Sequence, residues 1–402
     1  MQKIAALTAH KILDSRGEWT IEVCAKLKSG ISVVASVPQG KSKGSFEAHY
    51  VAPEVAVRNV EKIIAPKLKN FDVTRQRDID LFLKKLDGAP LKARLGANAI
   101  LGASIACAKA GAAVKKTPLW KYIGKLCGST TLTAGGTAPL GKEREIHPRL
   151  YVNMINGGLH AGNNLRFQEY LVIPKAKNFS EAVGIVEEMY QSLKNYLAGT
   201  KGEEAVNLGD EGGFAPDFKD ELEPFAVMEK AAKGAGLRGK IDFGLDAAAT
   251  DSELGAAKLL ALYKSMVRKF GLIYLEDPLG ENDFRGFATL RKTLPPRLLV
   301  AGDDLTVTNL ERMEMAYDAG SVNAVIIKPN QIGTVTEALD AVRQAKKWGW
   351  AVVVSHRSGE TNDDFIADFA VGVRADGFKL GAPARGERIA KYDRLLQIER
   401  EA

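Results

Sequence analysis

The sequence predicts an α/β protein, with a closed β/α barrel in its C-terminal part and a smaller α+β domain before it. Three observations carry this. Between Ile241 and Arg385, six short apolar runs follow one another and each ends on polar residues: Asp246, Glu276, Asp303, Lys328, the pair His356–Arg357, and Lys379. These markers recur every 23 to 30 positions, the length of one strand, one helix and two short loops. The segments between them carry helical periodicity and cap chemistry; Thr308 to Glu311 reads as a capping box with Thr308 as the cap. A repeated strand–helix unit makes a parallel sheet, and this many units favours closure into a barrel. The C-terminal strand ends of such a barrel form its active site.

The elements follow in order. A strand at 3–7, a turn at 13–17 and strands at 20–27 and 31–37 predict a three-stranded antiparallel meander. The loop 38–44, PQGKSKG, reads on composition as a polar surface turn. Helices are expected at 53–68, 75–86, 97–114 and 119–126, the third apolar on nearly every face and therefore buried. Residues 1–127 thus form the N-terminal domain, and 128–147, rich in Gly and Thr with a charge run, is the expected linker. Residues 148–402 form the barrel. It opens with strands at 150–155 and 167–173 and helices at 179–197 and 217–235, before the six strand–helix units and a last helix at 386–399. Eight strands result, the number a small closed barrel needs.

The composition is that of an ordinary soluble globular chain: 402 residues, 46% hydrophobic and 26% charged. No apolar run approaches the roughly 20 residues of a membrane helix, so no membrane partner is expected. Three cysteines without metal-ligand spacing suit a reducing, cytoplasmic setting. The net charge is +7 and the pI about 9.0, but the lysines are scattered, which argues against nucleic acid and for a small anionic ligand.

Asp246, Glu276 and Asp303 end three successive strands, which lie about 4.8 Å apart, so the three can reach one ion. Oxygen ligands alone favour Mg²⁺ or Mn²⁺. The plainer alternative is helix caps and solvated loop acids. Lys328 follows an apolar run, where desolvation and nearby cations would lower its pKa toward that of a general base; it would otherwise be an ion-pair partner for the acids. His356, Arg357 and Ser358 offer donors for a phosphate or carboxylate, and Lys379 adds a second cation or a second ion pair. A metal beside a lysine base suits proton abstraction next to a carboxylate, a chemistry general principles already associate with a lysine or histidine base and one or two Mg²⁺.

These residues lie in motifs that resemble enolase (phosphopyruvate hydratase) over nearly the whole chain. They are SRG at Ser15–Gly17, GANAILGAS at Gly96–Ser104, NGGLHAG at Asn156–Gly162, QEY at Gln168–Tyr170 and GDEGGFAP at Gly209–Pro216. GLD at Gly244–Asp246, EDP at Glu276–Pro278, DDLTVTN at Asp303–Asn309, IKPNQIG at Ile327–Gly333, SHRSGET at Ser355–Thr361 and GAPARGER at Gly381–Arg388 complete the set. The resemblance implies an enolase-type TIM-like barrel of order ββαα(βα)6. It implies interconversion of 2-phosphoglycerate with phosphoenolpyruvate and water. It makes Lys328 the base at C2 and Glu211 the acid at the 3-hydroxyl, with Glu169 beside it. Asp246, Glu276 and Asp303 would hold a first Mg²⁺, and Ser42, on a loop that closes over the substrate, would help hold a second. Arg357 and Ser358 would bind the phosphate and Lys379 the carboxylate region, with His160, Gln168 and His356 against the substrate. A homodimer or higher oligomer is implied as well.

The closing loop departs from the family: SGASTG is replaced by QGKSKG, and the connection after Asp246 is shorter than usual. These changes touch closure, and Lys41 and Lys43 would attract the anionic substrate. A non-catalytic relative, or another enzyme of the superfamily, would be free to lose Lys328, Glu211 or the Arg357–Ser358 pair; this chain keeps them all.

Overall fold

The structure is a computed structural model that describes residues 2–41, 44–128 and 147–402. Ser42, Lys43 and nearly all of the expected linker lie outside the described residues.

The N-terminal sheet has the order β1 (Ile4–Leu13), β2 (Trp19–Leu27), β3 (Ser32–Ser36), with both pairings antiparallel. β1 runs well past the expected Leu7, because it pairs with β2 along its whole length to Leu13↔Trp19. Ile21, Val23, Ala25 and Leu27 alternate into the core and face the helix Ala97–Val114. Gly102 lets that helix lie directly on β2, since a Cβ there would fall 2.5 Å from Val23 Cγ2. By length and composition this helix could cross a membrane, yet 83% of it is buried inside the protein. The expected helix 53–68 forms as one rod with a π-helical middle, Val60–Ile64, between Pro53–Asn59 and Ala65–Leu68.

The barrel is closed and follows the order β10-β11-β4-β5-β6-β7-β8-β9. Its strands are β4 (Arg149–Asn156), β5 (Glu169–Pro174), β6 (Ile241–Asp246), β7 (Tyr274–Glu276), β8 (Leu299–Gly302), β9 (Ala324–Ile327), β10 (Ala351–Ser355) and β11 (Gly377–Lys379). β5 is antiparallel to both its neighbours and the other pairings are parallel, as ββαα(βα)6 requires. The two helices before β6 are Phe179–Lys201 and Glu223–Gly234. The second starts six residues later than expected. Asp217 and Phe218 instead close a loop onto Asn164: the Phe218 N–H donates to Asn164 Oδ1 (3.0 Å), and Asn164 Nδ2 donates to the Phe218 carbonyl (2.7 Å). The capping box is also displaced. Asn309, not Thr308, caps Leu310–Ala319, its side chain accepting from the N–H groups of Glu311 and Arg312.

The two domains share polar groups. Ser104 Oγ accepts from the Val335 N–H (3.0 Å) and Asp80 Oδ2 from the Thr336 N–H (2.9 Å). Fully buried side chains of the N-terminal domain thereby satisfy the first turn of a barrel helix, Val335–Lys347.

Candidate active site

Side chains alternate along a strand, and that alternation builds the site. Tyr151, Leu171, Ile173, Tyr274, Ala301, Ile326 and Val353 form one buried apolar cluster, separate from the larger core that the helices cover. They fill the barrel interior. The residues two positions further toward the site on the same strands are Asn153, Glu169, Glu276, Asp303 and Lys328, and Asp246 and Lys379 join them by register. Glu169 pairs with Asp246, Asp246 with Glu276, and Lys379 with Ser355, two positions beyond Val353. An apolar plug is therefore topped by a charged layer.

Lys379 is the hub of that layer. Its Nζ lies 3.0 Å from Asp246 Oδ2, 2.9 Å from both Glu276 oxygens and 3.1 Å from Glu169 Oε1. Burial works against its charge, but the three acids hold its pKa well above the ordinary lysine value. Glu276 is pushed up to about 8 by burial and the Asp246 charge, and Tyr274 donates to it at 2.5 Å. Asp303 is paired with Lys328 rather than with Lys379. Burial would lower the pKa of Lys328 and the Asp303 carboxylate overrides it, so the pKa is raised in the ligand-free protein. The expected depression is not found, because the nearest charge is an acid in direct contact.

Glu211 comes from the loop Gly209–Gly213. Asn153 Nδ2 donates to its Oε2 (2.9 Å), and its Oε1 is 3.5 Å from His160 Nδ1 and 3.6 Å from His356 Nε2. Burial raises its pKa; since burial also drives both imidazoles toward their neutral form, the fixed Arg388 charge is what favours the Glu211 carboxylate and draws its pKa down. Glu169 is driven the other way, by burial and by Glu211. Of the two, Glu169 therefore takes up a proton more readily than Glu211. His356 is pushed down to about 4 by burial and is a neutral imidazole at pH 7. Arg388 Nη1 sits 2.7 Å from His356 Nδ1 and donates to the Arg357 carbonyl (2.6 Å), while its Nη2 donates to the Ser358 carbonyl (2.6 Å). Since a guanidinium only donates, His356 Nδ1 accepts and Nε2 carries the proton toward Glu211.

Arg357 is gripped by Glu47 of the N-terminal domain through two bonds of 3.0 and 3.1 Å. Gly40 allows the closing loop onto it: a Cβ there would lie 1.8 Å from Arg357 Nη2. Gln39 and Gly359 exchange backbone hydrogen bonds of 2.8 and 2.9 Å, and the Lys41 N–H donates to Ser358 Oγ (2.7 Å). Lys41 Nζ donates to the Leu159 carbonyl (2.6 Å) and pairs with Asp210 (3.2 Å), so it straps three loops together. The pair is about half exposed and worth about 0.2–1 kcal/mol. Lys41→Ala is expected to raise KM about two- to fivefold at low salt and leave kcat nearly unchanged. Steady-state kinetics at two ionic strengths checks this, and an unaltered KM at both would remove the strap from the account.

A hard divalent cation suits the donor set. Asp246, Glu276 and Asp303 are buried carboxylates, and Glu169 Oε2 is a buried oxygen with no hydrogen-bond partner among the described residues. Among the described residues two groups converge to within 4.8 Å, His160–Glu169–Glu211 and Asp277–Asp303–Asp304. Asp246 and Glu276 instead share Lys379. Gln168 lies beside them, its Nε2 3.4 Å from Asp246 Oδ2. Both His160 ring nitrogens are buried without a hydrogen bond among the described residues. Sequence reasoning passed over Asn153, Glu47, Gln331 and Arg388. Asn153 had a signal: it is a polar residue two positions beyond Tyr151 in an apolar strand.

Fold and site together define a barrel lyase that works on a carbon acid. Residues 4–123 match the family model of the enolase N-terminal domain, and residues 145–254 and 249–402 match that of the enolase C-terminal TIM barrel domain. A relative named enolase from Thermococcus gammatolerans is 43% identical, covering 99% of this chain and 95% of its own. One from Methanopyrus kandleri is also 43% identical (100% and 96%), and one from Solanum lycopersicum is 40% identical (100% and 96%). The chain belongs to the enolase family.

Proposed function

We propose that the chain acts as a phosphopyruvate hydratase in glycolysis and gluconeogenesis, removing water from 2-phosphoglycerate and adding it to phosphoenolpyruvate, with Mg²⁺. The observation that carries the assignment of roles is the charged layer itself. One lysine, Lys328, and one close carboxyl pair, Glu169–Glu211, flank the same set of acids. Lys328, having passed its own proton to solvent and left Asp303, takes the C2 proton as the neutral amine. The Glu169–Glu211 pair delivers its proton through Glu211 to the departing 3-hydroxyl. Water leaves, the C2–C3 double bond forms, and the proton count closes. Arg357 and Ser358 bind the phosphate, Lys379 the carboxylate end, and His160, Gln168 and the neutral His356 border the substrate. Asp246, Glu276 and Asp303 would hold a first divalent ion and Ser42 would help hold a second. The bound metal supplies positive charge against the doubly ionised carboxylate of the carbanion. The resemblance alone supports a cytoplasmic setting and a homodimer or higher homo-oligomer.

The test is an assay of 2-phosphoglycerate with Mg²⁺, following enolpyruvate absorbance. Product should form, and a chelator should abolish it. Absence of product with Mg²⁺ present would overturn the reading.

A further inference from the structure

We propose that Gln331 is a positioning residue for the lysine base and joins that base to the phosphate end of the site. The proposal rests on Lys328 as base and Arg357 as phosphate ligand.

Gln331 lies in the short helix Pro329–Ile332, directly after β9, and is 1% exposed. Its carboxamide is engaged at both ends. Nε2 donates to Asp303 Oδ1 at 2.8 Å and reaches Glu47 Oε1 at 3.4 Å. Oε1 accepts from Thr308 Oγ at 2.8 Å. A carboxamide with a donor group on one side and an acceptor on the other can make this pattern; a carboxylate or thioether cannot.

Thr308 Oγ in turn accepts from the Lys328 backbone N–H at 2.9 Å. Lys328 is thereby fixed twice. Thr308 holds its main chain. Asp303 Oδ2 holds its Nζ, while Gln331 holds the other oxygen of the same carboxylate. Thr308 has φ +55°, a conformation a β-branched residue avoids unless its surroundings impose it. Its two hydrogen bonds, to Gln331 and from Lys328, are part of what imposes it.

On the other side, Glu47 grips Arg357 with both oxygens, and the Gln331 carbonyl accepts from the Ala48 N–H at 2.8 Å. A continuous line of contacts results: Arg357, Glu47, Gln331, Asp303, Lys328. A phosphate that binds Arg357 competes with Glu47 for the guanidinium. The Glu47 oxygen so released becomes a better acceptor for Gln331 Nε2, at the expense of Asp303. Anion binding at one end is thus passed to the group that holds the base at the other.

Two measurements test this. The first compares kcat, KM and solvent exchange of the C2 proton in the parent, Gln331→Met and Thr308→Val. Gln331→Met should lower kcat and exchange together by about 10- to 100-fold, the usual scale for a residue that orients a reacting group's partner, with KM within about threefold. Thr308→Val keeps the buried shape and should move both rates the same way by less; it carries the test if Gln331→Met does not fold. The second follows the Lys328 Cε resonance in the metal-free protein as inorganic phosphate is added. It should move in the parent and stay still in Gln331→Met. Parent-like exchange in both variants, a loss confined to KM, or an identical resonance shift in parent and variant would each overturn the proposal. A parent without turnover would instead overturn the functional reading.

Discussion

Lys328→Ala is expected to lower kcat by about 10²- to 10⁴-fold, the range a positioned general base contributes, and to stop C2 proton exchange with solvent. The effect should fall on kcat more than on KM. The Lys328 side chain is 12% exposed and bonded to Asp303, and no phosphate-binding group depends on it directly. Exchange is the decisive readout, because it reports removal of the C2 proton whether or not the hydroxyl departs. Exchange that persisted in the variant would assign the base elsewhere, and the charged layer offers Lys379 as the next cation.

Lys379→Ala is expected to have the largest effect on stability. Its ammonium touches Glu169, Asp246 and Glu276, all buried. Removing one partner of a buried ion pair typically costs about 3–5 kcal/mol, because the other charge is left uncompensated. Here three carboxyl groups lose a shared donor, and Glu169 and Glu276, whose pKa values are already raised, take up protons in its absence, which limits the loss. The metal-free variant should therefore unfold at a lower denaturant concentration than the parent. Added Mg²⁺ should raise its midpoint more than it raises the parent's, since an ion can replace the missing charge among the same oxygens. Equal midpoints without metal would show that the acids are neutralised by other means, and the hub role would be wrong.

The strands were legible because each apolar run has one job, to fill the barrel or meet a helix, and the polar residue that ends it marks the site. The ring of partners was harder to read. Along the chain Lys379 stands close to the His356–Arg357 pair and far from Glu276, Asp246 and, farthest of all, Glu169. Closure sets β11 beside β4 and one strand from β5, which carries Lys379 across to Glu169, Asp246 and Glu276. Pairing of Lys328 with Asp303 skips no such distance; of the two readings the chain allows for this lysine, the ion pair with an acid prevails in the ligand-free protein and raises its pKa. The Thr308 cap failed for a different reason. Its hydroxyl has a tertiary task, binding Lys328 and Gln331, and Asn309 next to it was free to cap. Glu47 carried no signal, since nothing local shows that it will meet Arg357 more than three hundred positions away.

The same closure has a kinetic consequence. Hairpins and strand–helix units form from neighbours, but the seam between β4 and β11 joins the first and last strands of the barrel. Arg388, which ties the His356–Ser358 segment to the final helix, comes later still. During synthesis the N-terminal sheet can form early, while the ring stays open at that seam until β11 has left the ribosome. Until then the acids of the charged layer lack Lys379. The catalytic constellation is thus among the last features to appear as the chain folds, and distant pairing of this kind makes that step slow.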